Sequence, residues 1–458
     1  MSGAGAIGLV AVFLVDLLNL LYISLLKKNA LTAAIGFTGA VSYFQIALSI
    51  GMTIGLGAVV SRTIGAGHYA EARRIASSGM FVMAALMLAI GLAVLAALNP
   101  ILAALGAAAG PVHDQAYFYL AVAAPFLPFM AIGMATSALL RAVGDARRSM
   151  TISLAGAAVT AVLDPILILG LHMGLHGAVI STIISRATVA ALGLRAVRGH
   201  GLLQAPDWSC LGADARRVGQ VAMPAILTNV ATPVGGAYTT HAMASFGLAA
   251  VAGQATTDRI LPVAFGFIFA LTGAVGPIMA QNLGAGQFRR VRQTLRSSLL
   301  LVTLCVLSVW AVLYGLQNEL IWLFSATGVS ADIVRLFCDW TAASFLFLGA
   351  LFVANAAFNN LGFPILATVF NWGRATLGTI PFVYAGRAYG PLGVLVGQAL
   401  GCILFGLLAI ATAFFVTYRL KRSGAHRGLA VSVPATTAKS AMAEMNVNPE
   451  PSGTDIAN

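Results

Sequence analysis

Asp164 lies deep in an apolar run, with Thr160 four residues before it and Pro165 directly after. Residues four apart share one face of a helix, and a proline removes a backbone donor and frees a carbonyl one turn earlier. A second carboxylate, Asp16, interrupts the first apolar run, with Asn19 three residues on. Each pair sets a carboxylate beside a neutral oxygen, which suits a proton or a hard cation such as sodium. An ionised group at the centre of a spanning helix costs roughly 2.5–3.5 kcal/mol, so it must face protein or water. Two readings follow: a site for a coupling ion, H+ or Na+, or packing hydrogen bonds to neighbouring helices.

The second half of the chain is less acidic. Its polar candidates for a substrate cavity are Gln254, Asp258 and Arg259 in one apolar run, and Asn371 and Arg374 in another. Asp258 and Arg259 also fit a membrane end, where long side chains reach water cheaply. Arg374 needs an acidic or carbonyl partner, and a structural role suits it as well as substrate contact; Arg186 reads as structural. Other chemistries are excluded. The Gly-Ala-Gly turns at 65–67 and 284–286 lack a following Gly-Lys-Ser/Thr, so they are not phosphate loops, and their glycines predict tight interhelical turns. Gly51 and Gly55 form a GxxxG, a pattern of close helix packing. His172 and His176 have no third ligand for a metal. The four cysteines are scattered, so they suggest neither a disulfide framework nor a thiolate metal site. No nucleophile–base pair is present. The chain reads as no enzyme, with no cofactor and no metal.

The elements that must position these residues are membrane helices. Apolar residues make up 59% of the 458 and charged ones 9%, with a mean hydropathy of +0.91; a water-soluble domain needs a polar skin that this composition cannot supply. Runs of about 20 apolar residues can span a bilayer. They fall near 4–26, 31–61, 75–98, 115–140, 149–171 and 177–195, then 218–241, 249–281, 297–316, 333–357, 364–386 and 392–418. The first is no cleaved signal peptide, because Asp16 and Asn19 break it and no small-residue cleavage site follows. The fold class is therefore an all-α integral membrane protein with twelve transmembrane helices.

The chain also repeats itself. "IGAGHYAEARR" from Ile64 returns as "LGAGQFRRVRQ" from Leu283, and "GLHGAVIST" from Gly174 as "GPLGVLVGQ" from Gly390, offsets of about 216 to 219 residues. Repeats of this length in a membrane protein signify a carrier built from two related bundles with the substrate path between them. The division expected is 1–200 for the first six-helix bundle, 201–218 for a cytoplasmic linker, 219–420 for the second bundle and 421–458 for a disordered cytoplasmic tail.

Basic residues set the orientation. Loops after the second, fourth, sixth and eighth runs hold Arg73–Arg74, Arg147–Arg148, Arg216–Arg217 and Arg289–Arg290, whereas the alternate loops hold only Lys27, Lys28, Arg335 and Arg387. The positive-inside rule then puts both termini in the cytoplasm, and an even number of helices per repeat makes the bundles parallel. The net charge of +12 is thus topological, and nucleic acid drops out as a partner. The partners expected are a small-molecule substrate and the lipid bilayer around a monomer, in a bacterial inner (plasma) membrane.

The runs "VDLLNLLYISLLKKNALTAAIGF", "SRTIGAG", "LRAVGDARRSM", "LDPILILG", "PAILTNV", "QNLGAG" and "NWGRATLGTIPF" resemble the multidrug and toxic compound extrusion (MATE) family over about residues 8–418. The resemblance implies a V-shaped pair of six-helix bundles that exports mainly cationic amphiphilic compounds in exchange for protons or sodium ions. It also implies a cation site made of a carboxylate in helix 1 and an Asn–Asp pair, four apart, in helix 5. By position the helix 5 Asp is Asp164, with Thr160 in place of Asn; the helix 1 Asp falls at Asn19, with Asp16 one turn earlier. These departures leave H+ and Na+ both open. The second repeat begins with a polar "RRVGQVAMPAILTNV" while the first starts at "MSGAGAIG", so a lead-in upstream of Met1 is expected. The alternatives are a flippase for a lipid-linked precursor, which calls for a more cationic cavity, and a non-transporting receptor or scaffold, which calls for a sizeable soluble domain.

Overall fold

The computed structural model describes Val15 and residues 29–104, 110–324 and 326–422. The expected first run, with Asp16 and Asn19, and the tail beyond Arg422 lie outside the described residues. All regular structure among the described residues is helical, as hydrocarbon demands: a helix satisfies its backbone groups within one segment.

The first lobe comprises α1 (Asn29–Gly65), α2 (Tyr69–Ala96), the short α3 (Leu98–Ala104), α4 (Pro111–Ala123), α5 (Leu127–Ala142), α6 (Ala146–Asp164) and α7 (Leu175–Gly199). The second comprises α8 (Leu211–Ala244), α9 (Leu248–Ala264), α10 (Gly266–Gly284), α11 (Phe288–Gly315), the short α12 (Gln317–Leu323), α13 (Val329–Asp339), α14 (Phe345–Leu361), α15 (Pro364–Ala375), α16 (Ile380–Gly386) and α17 (Gly390–Arg422). The repeat is visible in lengths: α2 and α11 each have 28 residues, and α3 and α12 each have 7. Where α1 is one rod of 37 residues, its counterpart breaks at Phe265, because Pro262 removes a donor from the ladder.

Nine segments among the described residues are long and apolar enough to cross a bilayer. Of the other three expected crossings, one is the first run, outside the described residues. A second is α8, helical throughout but polar at its start. The third shares the 57-residue stretch Pro364–Leu420, which the turn Arg387–Tyr389 interrupts. Residues 211–218, expected in the linker, already form the first turns of α8. Asp214 in the first turn complements the helix dipole, and Val218, Val221 and Ala222 bury against α1 and α2. Each lobe has its own apolar core, and large apolar side chains such as Leu300 and Phe415 stand exposed on the outer surface, where lipid covers them.

Asp145 starts α6. Its Oδ1 accepts the Arg148 amide at 3.0 Å, and its Oδ2 meets His200 Nε2 at 3.0 Å and Arg148 Nε at 3.3 Å. Burial pushes this carboxyl up, but the Arg148 amide, the His200 hydrogen bond and the two positive charges outweigh it and hold it below the usual carboxylate range. The folded state therefore binds fewer protons than the unfolded. The stabilisation is full above the ordinary pKa of about 3.9 and is lost as pH falls through the lower folded value. Asp145→Ala is expected to cost about 1 kcal/mol, read as a lower thermal midpoint at neutral pH. The gap to the parent protein should narrow as the pH falls below the ordinary carboxylate range; a gap that does not change with pH would contradict this account.

Candidate functional site

Asp164 is the last residue of α6 and is 1% exposed. At 1.5 Å per residue it stands roughly 27 Å along the helix from Ala146, well inside the bilayer span. Directly after it the helix widens into a π turn, Pro165–Gly170, because Pro165 has no N–H for the α ladder; π turns recur at functional sites. α7 clamps this turn. A Cβ on Gly177 would come within 2.8 Å of the Leu167 carbonyl carbon, so only glycine allows the approach. Thr160 lies on the same face of α6 as Asp164, one turn earlier, and donates its hydroxyl to the Gly156 carbonyl at 3.2 Å. Its oxygen lone pairs remain available as acceptors. The other two members of the expected ion site, Asp16 and Asn19, are outside the described residues.

In the second lobe the expected polar residues do not form one cluster. Gln254 is buried in α9 and donates to Thr240 Oγ1 of α8 at 3.2 Å. Asp258 and Arg259 are exposed on α9 and make no ion pair with each other. Asn371 is buried but donates to Ala367 O of its own helix at 2.7 Å. Arg374 donates to Thr232 Oγ1 at 3.1 Å, so a hydroxyl on α8 takes the place of the expected acid or carbonyl. α8 is the common support of Gln254 and Arg374, at positions two turns apart.

Three buried amides lie outside the sequence-based set. Asn355, Asn359 and Asn360 on α14 are all buried, and the Oδ1 atoms of Asn355 and Asn359 accept no hydrogen bond among the described residues. The signal was present in "NAAFNN", an amide-rich patch in an otherwise apolar helix. Buried amide oxygens without donors are uncommon.

The two lobes meet at the end that carries the arginine-rich loops, and the repeated motifs make the contact. A Cβ on Gly65 would stand 2.2 Å from Gln281 O, and one on Gly284 would stand 2.2 Å from Arg62 O. Gly67 and Gly286, at φ 84° and 73°, make the turns. The expected turn role thus holds for the second glycine of each motif, while the first is a contact between lobes. Arg62 Nη2 donates to Asn360 O at 3.0 Å, and Gln281, 219 positions after Arg62, donates to Ala142 O. Each crosses to the last turn of the equivalent helix, α14 or α5, in the opposite lobe. Deeper in, Gly51 and Gly55 let α1 lie on the backbone of α8 at Ile226 and Ala222. Two ion pairs complete the seam: Arg74 with buried Asp214 at 3.1 Å, and Arg217 with Glu71. The arrangement is a pseudo-twofold clasp between parallel lobes, closed at one end, with a buried carboxylate held in one lobe's membrane interior.

Known proteins resemble this chain in sequence and overall fold. The MatE family model matches residues 6–166 and again 224–385, one match per lobe. The FAD transporter of Shewanella oneidensis is 27% identical over 418 residues, covering 89% of this chain and 91% of that protein. The multidrug export protein MepA of Staphylococcus aureus is 24% identical over 424 residues, covering 90% and 92%. The crystal structure of the Vibrio cholerae MATE transporter VcmN in its bent form superposes with a TM-score of 0.86 at 25% identity, covering 92% of this chain and 96% of that one. A doubled helical bundle, a clasp made by the repeat and a family match to both halves lead to one conclusion: the chain belongs to the multidrug and toxic compound extrusion (MATE) family of membrane transporters, and it is a carrier rather than an enzyme.

Proposed function

We propose that this transporter is an antiporter that exports cationic, amphiphilic small molecules in exchange for H+ or Na+. Asp164 carries the coupling ion, and Thr160, Asp16 and Asn19 complete its site. The observation that carries this reading is the burial of Asp164 within a spanning helix, at a π turn that another helix clamps. A carboxylate so placed is stable when protonated or paired with a cation. Exchange between those states on the two sides of the membrane couples ion entry to export. The multidrug export protein among its relatives supports the substrate class. In proteoliposomes, a cationic dye is expected to accumulate on the outer side under a proton or a sodium gradient imposed alone; accumulation under neither gradient would reject antiport.

A second substrate class has its own support. Arg259 is exposed in α9, and Arg374 reaches the α8 seam with its Nε buried and making no hydrogen bond among the described residues. The Arg374 guanidinium, with one donor unsatisfied among the described residues, suits an anion, and one relative is an FAD transporter. Flavin dinucleotide belongs in the same assay. Dinucleotide export that falls in Arg374→Gln while dye export persists would favour that class.

The arginine-rich end faces the cytoplasm of a bacterial cell in this reading, with the protein monomeric in the plasma membrane. Single cysteines at His68 and Gln287, the residues that precede α2 and α11, are both expected to resist an impermeant maleimide added to intact cells and to react after lysis. Labelling of one position from outside would overturn the parallel arrangement.

A further inference from the structure

The basic ends of the two lobes are neutralised differently. Within the first lobe and at its seam with the start of α8, Glu71 pairs with Arg217, Asp214 with Arg74, and Asp145 with both Arg148 and His200. In the second, Arg289, Arg290, Arg292 and Arg296 crowd the first turns of α11, and none has a carboxylate within ion-pair distance among the described residues. The position equivalent to Glu71 in the repeat is Arg290, so the motif's acid has become a base. Between Gly286 and Arg422 the acidic residues are Glu319, Asp332 and Asp339. Glu319 and Asp332 follow α11, roughly 42 Å from its start at 1.5 Å per residue, and Asp339 packs beside Trp310, roughly 21 Å along α11 from Arg296. The helix dipole opposes cations in a first turn, and no acidic residue stands there to offset it.

The surroundings say what offsets this charge. Arg289, Gln293, Arg296, Leu300, Leu304 and Leu307 are all exposed and follow one another at helical spacing, so they form one outward stripe. The stripe is apolar along the hydrocarbon and turns basic between Leu300 and Arg296. α17 supplies the other wall. Arg292 lies over the ring of Tyr418 at 5.8 Å, Arg419 over Phe415 at 6.0 Å, and both rings are exposed. Tyrosines such as Tyr418 mark headgroup level, and guanidiniums bind phosphate oxygens in a fixed fork.

We propose that the corner between α11 and α17 binds an anionic phospholipid, with Arg289, Arg292 and Arg296 on the phosphodiester and an acyl chain along Leu300 and Leu304. The lipid supplies the negative charge that Glu71, Asp145 and Asp214 supply around the first lobe's basic loops. A free phosphate would leave the leucine stripe unused. The inference needs only that this end lies at headgroup level, so it stands apart from the coupling ion and the substrate.

The test uses the full-length protein in neutral detergent, titrated with phosphatidylglycerol, phosphatidylcholine or inorganic phosphate, with bound lipid counted by native mass spectrometry. Phosphatidylglycerol is expected to stay bound where phosphatidylcholine leaves. An arginine near an anionic surface is worth about fivefold in affinity, so R289Q/R292Q/R296Q should weaken phosphatidylglycerol on the order of 100-fold. The triple change R195Q/R198Q/R216Q removes the same charge from exposed positions of the same end and should leave it intact. Equal loss in both triples would reduce the effect to bulk charge and overturn the site. So would wild-type binding in R289Q/R292Q/R296Q, or displacement of the lipid by inorganic phosphate at equal concentration. Binding that emerges only in E444Q/E450Q/D455N would make the acidic tail the occupant and reject the lipid.

Discussion

Asp164→Asn is expected to abolish ion-driven export while leaving folding and membrane insertion intact. The amide keeps the size and hydrogen-bonding shape of the carboxyl but can neither release a proton nor neutralise a cation. An ion shifts the equilibrium between two carrier states only through its different affinity for them. Coupling of roughly 1–3 kcal/mol corresponds to about 5–150-fold, so driven transport should fall by about two orders of magnitude, to the leak rate. Asp16→Asn should impair it less, because Asn19 occupies the family's position on helix 1. Vesicle export with protein amount checked by blot makes the comparison. Wild-type export in Asp164→Asn would make that residue structural and move the search to Asp258.

Gly284→Leu carries the second large effect, on conformation. The first atom of the new side chain would overlap Arg62 O, which stands 2.2 Å from the Cβ position, and backbone cannot yield as a flexible side chain does. The lobes must part at the arginine-rich end. Overpacking of about 1–3 kcal/mol is enough to reverse a two-state balance of similar size. Spin labels at His68 and Gln287 should report a longer and broader distance, and export should fall because the closed state is lost. Arg62→Ala or Gln281→Ala removes one hydrogen bond of the clasp, typically worth about 0.5–1.5 kcal/mol, so each should shift the distance distribution only a few-fold. An unchanged distance in Gly284→Leu would show that the clasp does not hold the lobes together.

These two residues differ in how far the sequence reveals them. Asp164 was legible because a carboxylate inside an apolar run has no cheap structural reason to exist, and the adjacent proline marks a local departure from α geometry. The structure adds the π turn and the clamp at Gly177, which depend on how closely α7 approaches. Gly284 was legible only as a glycine in a turn. That the first glycine of each motif meets the other lobe while the second makes the turn follows from the pseudo-twofold packing. The sequence shows Arg62 only as one of the basic residues that mark the inner end and Gln281 only as part of a repeated turn motif, because their partners are backbone carbonyls, which leave no trace in side-chain chemistry. Arg374 shows the opposite error: its type calls for an acid or carbonyl, and among the described residues a threonine hydroxyl on α8 takes one donor while its Nε finds no acceptor.

What the sequence determined by itself is whatever the bilayer imposes segment by segment. Length and apolarity make the spans, prolines and glycines break them, arginines mark one end, and the offset motifs declare two related bundles. Those are local or compositional properties, and hydrocarbon leaves a chain few other ways to satisfy its backbone. The tertiary structure alone decided which polar residues meet. Gln254 and Arg374 find hydroxyls on α8, Asn355 and Asn359 are buried without donors for their oxygens, and Arg62 and Gln281 reach across to the opposite lobe. Helix rotation and lobe docking set those contacts through packing between surfaces far apart in the chain, and no local pattern of residues encodes a distance between two helices.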